Sequence, residues 1–88
     1  MVRTPLTPAQ IAAGRRLGET LRAARGTRSL DEVAQHAGIS PETLRKIEAG
    51  RLPAPAFGTV VCLSRALGVP LSDLADIWLA GQPASQAS

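Results

Sequence analysis

Covalent chemistry has few places to start in this chain. It holds one histidine, His36, and one cysteine, Cys62. A lone cysteine makes no intrachain disulfide and no cysteine-based zinc site, and a lone histidine has no second ligand beside it. Ser40 lies close to His36 in sequence, but a serine directly before Pro41 is fully explained as a helix cap. The sequence offers no nucleophile–base set, no paired carboxylates placed for chemistry, no phosphate-cradling loop and no cluster of metal ligands. An enzyme is therefore not expected, nor a cofactor, a metal or a small-molecule substrate. What remains is reversible recognition through charge and hydrogen bonds. Nine arginines and one lysine outweigh seven acids, for a net charge of +3 and a pI of about 10.5. That excess permits a polyanionic partner without demanding one.

Polar side chains gather around residues 41–46, and a short helix must carry them. Ser40 caps that helix and Pro41 occupies its first turn, where a missing N–H does no harm. Leu44 and Ile47, three apart, are its inward residues, which leaves Pro41, Glu42, Thr43, Arg45 and Lys46 facing out or sideways. Gly50 stops it. A second short helix precedes it, capped by Ser29 with Glu32 three residues on as a capping box. Its inner face is Leu30, Val33, Ala34 and Ala37. Gly38 ends it in a left-handed conformation, and Ile39 fills the turn. Ser29 to Gly50 thus reads as two short helices joined by a tight turn, a geometry by which small domains place a helix in the DNA major groove.

The rest of the chain must hold this unit. Thr7 caps a long first helix, with Pro8 in its first turn and Gln10 completing a capping box; it runs to about Arg25 and ends at Gly26. Ile11, Leu17, Leu21 and Ala24 mark its apolar side. Gly14 and Gly18 weaken it, and Gly18 suits close packing. After a stiff loop at 51–55, a fourth helix spans about 56–67, with Phe57, Val60, Leu63 and Leu67 inward and Cys62 as a small core residue. A fifth spans about 70–80, with Leu71, Leu74, Ile77 and Trp78 as its apolar set. Residues 1–6 and 82–88 are expected to be flexible, so one domain covers 7–81. The 44% hydrophobic content supports one modest core, and with Phe57 and Trp78 the only aromatics it suits packed helices better than a sheet. No apolar run nears the roughly 18 residues of a membrane span, and Pro5, Pro8 and Gln10 interrupt any signal-like start. A small domain without disulfides fits a cytoplasmic, nucleoid-associated location.

These residues resemble the Cro/CI-type (XRE) helix-turn-helix family of phage-repressor-like domains. The marks are Leu21-Arg22 with Arg25-Gly26, then Glu32-Val33-Ala34, then Gly38-Ile39-Ser40, then Ile47-Glu48-Ala49-Gly50, and beyond them Pro55 and Ala66-Leu67-Gly68-Val69. The match covers about 17–79. It implies an all-α, five-helix, lambda-repressor-like DNA-binding domain with an extended first helix. Three departures stand out. The lead-in before Leu17 is long, so the first helix is expected to extend about two turns beyond the family minimum. Leu30 replaces the glutamine that usually opens the second helix and touches a phosphate, and the turn Gly26-Thr27-Arg28-Ser29 is one residue longer than usual.

The resemblance also implies sites. Pro41, Glu42, Thr43 and Lys46 fall where the family places base-reading groups. Lys46 suits guanine O6 and N7, Glu42 the cytosine amino group, and Pro41 and Thr43 a thymine methyl. Arg28, Arg45 and Arg51 are the candidates for phosphate contact. Arg22 and Glu48 match a largely buried structural ion pair, so neither is credited with DNA contact. Leu74, Ile77, Trp78 and Leu79 exceed what one core-facing stripe needs and mark an expected dimer interface. The implied function is sequence-specific binding of double-stranded DNA by a homodimeric transcription regulator, favoured as a repressor. The alternatives are a protein-binding adaptor or an antitoxin that keeps the fold with weak or no DNA binding of its own, which makes a protein partner a further expectation.

Overall fold

Thr7 and Gln10 start the structure as expected. Gln10 N–H donates to Thr7 Oγ1 at 3.1 Å, and Thr7 N–H donates back to Gln10 Oε1 at 2.9 Å. The computed structural model describes residues 5–81; the tail expected at 82–88 and residues 1–4 of the expected flexible N-terminus lie outside the described residues. Five helices follow in order: α1 Pro8–Arg25, α2 Leu30–Ala37, α3 Pro41–Glu48, α4 Phe57–Leu67 and α5 Leu71–Leu79. The described residues contain no strand, so the fold is all-α.

Local chemistry sets the boundaries of the central pair. Ser29 Oγ accepts from Glu32 N–H at 3.0 Å, and Ser40 Oγ accepts from Thr43 N–H at 3.1 Å. Each bond satisfies a helix-end donor that would otherwise lack a partner. Between the helices, Gly38 takes φ 72° and ψ 28°, a region that resists a side chain. Ile39 N–H then reaches back to Ala34 O at 3.0 Å, which closes the turn.

The core is made of Leu17, Leu21, Val33, Ala34, Ala37, Leu44, Ile47, Leu63 and Leu74. α1 is the spine, packing on α5, α3 and α4, while α2 packs on α4 and α3. The buried stripe of α1 is Ala13, Gly14, Leu17, Gly18 and Leu21, so of the expected apolar side Leu17 and Leu21 hold and Ile11 and Ala24 do not. Ile11 is exposed and Ala24 half-buried. The two glycines are central to this. A Cβ on Gly18 would lie 2.3 Å from Ile47 O, and one on Gly14 would lie 2.4 Å from Pro53 Cα. The extended helix therefore lies flush against the end of α3 and the loop after it. Ser64 is buried, and its hydroxyl donates to Val69 O at 2.5 Å.

Three apolar expectations are corrected. Phe57 is 73% exposed, because the inward stripe of α4 runs past the edge of the core at the helix's first residue. Cys62 is exposed: its neighbours Leu63 and Ser64 take the buried face, and a step of about 100° turns Cys62 outward. Leu74 is fully inside, so it belongs to the core and not to a dimer surface. No helix among the described residues is long and apolar enough to cross a membrane.

Candidate nucleic-acid interface

α3 is held from behind and open in front. Leu44 and Ile47 are buried, Thr43 and Glu48 are half-buried, and Pro41, Glu42, Arg45 and Lys46 are exposed. At about 100° per residue, Glu42 and Ala49 lie near the middle of the exposed arc, with Pro41 and Arg45 to one side and Lys46 to the other. The four expected base-reading positions are thus brought onto one short helix, although not equally. Thr43 sits at the margin, with its hydroxyl 2.9 Å from Ser40 Oγ. Lys46 Nζ lies 3.7 Å from Glu42 Oε2, an exposed i,i+4 pair. Such a pair is worth only about 0.3–0.5 kcal/mol, so a better partner can displace it.

Two devices fix the back of α3. The first is the close approach at Gly18. The second is an ion pair, and here the sequence reading is corrected. Glu48 pairs with Arg25, not with Arg22. Arg25 Nε donates to Glu48 Oε2 at 2.8 Å and Arg25 Nη2 donates to Glu48 Oε1 at 3.0 Å. Arg25 Nη1 donates to Arg28 O at 2.9 Å, so the same guanidinium also braces the long turn before α2. The pair is largely buried, with side-chain exposures of 18% and 7%. The hydrogen bonds from Arg25 to Glu48 raise the guanidinium's already high pKa, against partial desolvation that pulls it down, with charge attraction adding to the rise. Arg22 is exposed.

The remaining cations divide. Arg51 is exposed just beyond α3, and its backbone N–H donates to Lys46 O at 2.9 Å, which holds the loop against the end of the helix. Arg45 is exposed. Arg28, expected at a phosphate, is turned inward instead. Its Nη1 donates to Ala66 O at 3.1 Å, its Nη2 lies 3.1 Å from His36 Nδ1, and its Nε lies 3.6 Å from Glu32. It ties α2 to the end of α4. Arg16 also has an internal role. It donates through Nε to Ile77 O at 3.3 Å and through Nη2 to Ala80 O, satisfying carbonyls at the end of α5.

The α4–α5 side carries a different surface. Phe57 and Leu79, the latter 60% exposed, rim an apolar groove that Leu17, Leu71, Leu74 and Trp78 also line. Of the expected dimer residues, Leu79 is exposed, Trp78 is half-buried, and Ile77 packs against the core. Phe57 was not among them. Its position at a helix start, just after Pro55-Ala56, was the available signal.

A short helix locked at its back, polar at its front and preceded by a second helix across a glycine turn defines a helix-turn-helix module. Residues 16–77 match the family model of the helix-turn-helix domain, and the chain belongs to that family. The crystal structure of the clp gene regulator ClgR from C. glutamicum is similar in fold, with a TM-score of 0.64 over 92% of this chain and 99% of that one. At 24% identity, that likeness speaks for the fold alone. No curated protein matches the sequence.

Proposed function

We propose that the protein is a sequence-specific double-stranded DNA-binding transcription regulator, acting as a homodimer and most simply as a repressor. The observation that carries this reading is the two-sidedness of α3. Gly18 and the Arg25–Glu48 pair lock its back, and its front presents Pro41, Glu42, Arg45 and Lys46 together. A rigid helix with an exposed polar arc fits the major groove, where Lys46 meets guanine acceptors and Glu42 a cytosine amino group. Arg45 and Arg51 meet phosphates and set the register. Repression needs no surface beyond the one that occupies the operator.

The dimer reading rests on the groove that Trp78 lines, whose rim residues Phe57 and Leu79 a monomer leaves in water. Two copies related by a two-fold axis read half-sites about one helical turn apart. A second reading, a protein-binding adaptor, draws on the same groove and on Glu42 at the centre of the reading face. Selection of the purified protein against random duplexes, with the winners titrated at two salt concentrations, decides between them. A palindromic motif whose affinity falls as salt rises supports the regulator. No enriched sequence, with no binding even at low salt, moves the assignment to the adaptor.

A further inference from the structure

The correction of the ion pair releases Arg22 for another task. Arg22 lines an open notch together with Arg25 and Glu48, Leu30 at the start of α2, Arg45 on the exposed side of α3, and Ala49 just past its end. Three guanidinium groups and one carboxylate meet there. Both Glu48 oxygens are already taken by Arg25, so the carboxylate presents no free face to an incoming anion. The two acids in the first turn of α2, Asp31 and Glu32, do not line the notch. Arg22 and Arg45 are both exposed, and they reach the notch from different helices.

We propose that Arg22 is a DNA-backbone ligand: with Arg45 it forms a two-arginine seat for one phosphodiester at the edge of the groove that receives α3. The inference rests on the DNA-binding reading above. The notch joins Arg45, on the exposed side of α3, to Leu30 at the start of α2, so a strand flanking α3 on that side runs past both. That start carries Leu30, whose side chain has no hydrogen bond to give. Arg22, one helix behind, brings N–H donors to that edge. Guanidinium groups suit the task because their fork of N–H donors matches phosphate oxygens.

The test is a titration of the full chain on a selected duplex and on a scrambled duplex between 50 and 200 mM salt. Parent, Arg22→Ala, Arg22→Lys and Arg45→Ala are compared, each with a thermal melt. Arg22→Ala is expected to melt like the parent and to lower the salt slope by about 1 on both duplexes. The affinity lost between the two salts then shrinks by about 3.5-fold, the effect of one phosphate contact. Arg22→Lys keeps a charge and restores most of the slope. If the parent binds with its full slope and Arg22→Ala binds identically, the seat is wrong while the DNA reading stands. If Arg22→Ala loses slope only together with its melting transition, and Arg22→Lys fails in the same way, Arg22 is structural and the proposal is overturned. If the parent binds neither duplex at any salt, the DNA reading falls and the proposal with it.

Discussion

Replacing Gly18 by alanine sets two effects of opposite sign against each other. In the middle of a helix the change normally stabilises by about 1 kcal/mol, because alanine loses less backbone entropy on folding. Here the new methyl group would lie 2.3 Å from Ile47 O and 2.8 Å from Glu48 O. The nearer contact is more than about 1 Å too short for ordinary packing. Both obstacles are backbone atoms of α3 and cannot rotate away, so α1 and α3 must separate. Overpacking of this kind costs about 1–3 kcal/mol, and the rigidity of both sides favours the upper end. The net expectation is a loss of about 2 kcal/mol, or a fall of roughly 8–16 °C in the melting temperature of a domain this small. Gly58 supplies the control. It lies in the first turn of α4, and a Cβ there meets nothing within 4 Å. Gly58→Ala is therefore expected to raise stability by about 0.5 kcal/mol. Both variants are followed by circular dichroism on heating. If Gly18→Ala melts at or above the parent, the close approach of α1 to α3 is not a real constraint and the locked-helix argument fails.

Other expectations follow from the same contacts. Arg25→Ala leaves Glu48 buried and unpaired and lowers stability by about 3 kcal/mol, the low end for buried pairs because Arg25 keeps some exposure; Arg22→Ala leaves the melt unchanged, and denaturant titration of both separates them. Lys46→Ala weakens binding to the selected duplex by about 1–3 kcal/mol and barely affects a scrambled one, as read by anisotropy titration. Arg51→Ala weakens both duplexes alike and lowers the salt slope by about 1. Phe57→Asp, at a position 73% exposed, leaves the melt of the monomer intact but shifts sedimentation toward monomer; an unchanged dimer would remove this groove from the interface.

The capped ends of the chain's elements were legible before the structure. Thr7, Ser29 and Ser40 each accept the backbone bond that their position foretold, and Gly38 adopts the left-handed turn. Such signals are local, and local chemistry decides them. What the sequence hid depended on which of two similar residues a distant partner would choose. Arg22 and Arg25 are three apart on one helix, so either could face Glu48. Arg25 also donates to Arg28 O in the turn before α2, a contact that exists only once the helices are packed. Arg16 reads as one more surface cation until the end of α5 is placed beside it. Phe57 and Cys62 share a helix whose pattern is apolar nearly all round, and periodicity alone could not say which side faces water. The exposed arc of α3 was clearer, since Leu44 and Ile47 name the buried side of that helix and the remaining positions follow from helix geometry.

The central claim is that the outer face of α3 meets DNA. The most direct measurement is an amide chemical-shift map of the full chain, recorded while a selected duplex is titrated in. The largest changes are expected on residues 42–46, on Arg51 and on the first turn of α2, with α4 and α5 little affected. Changes concentrated around Phe57, Trp78 and Leu79, or none at all with any duplex, would contradict it.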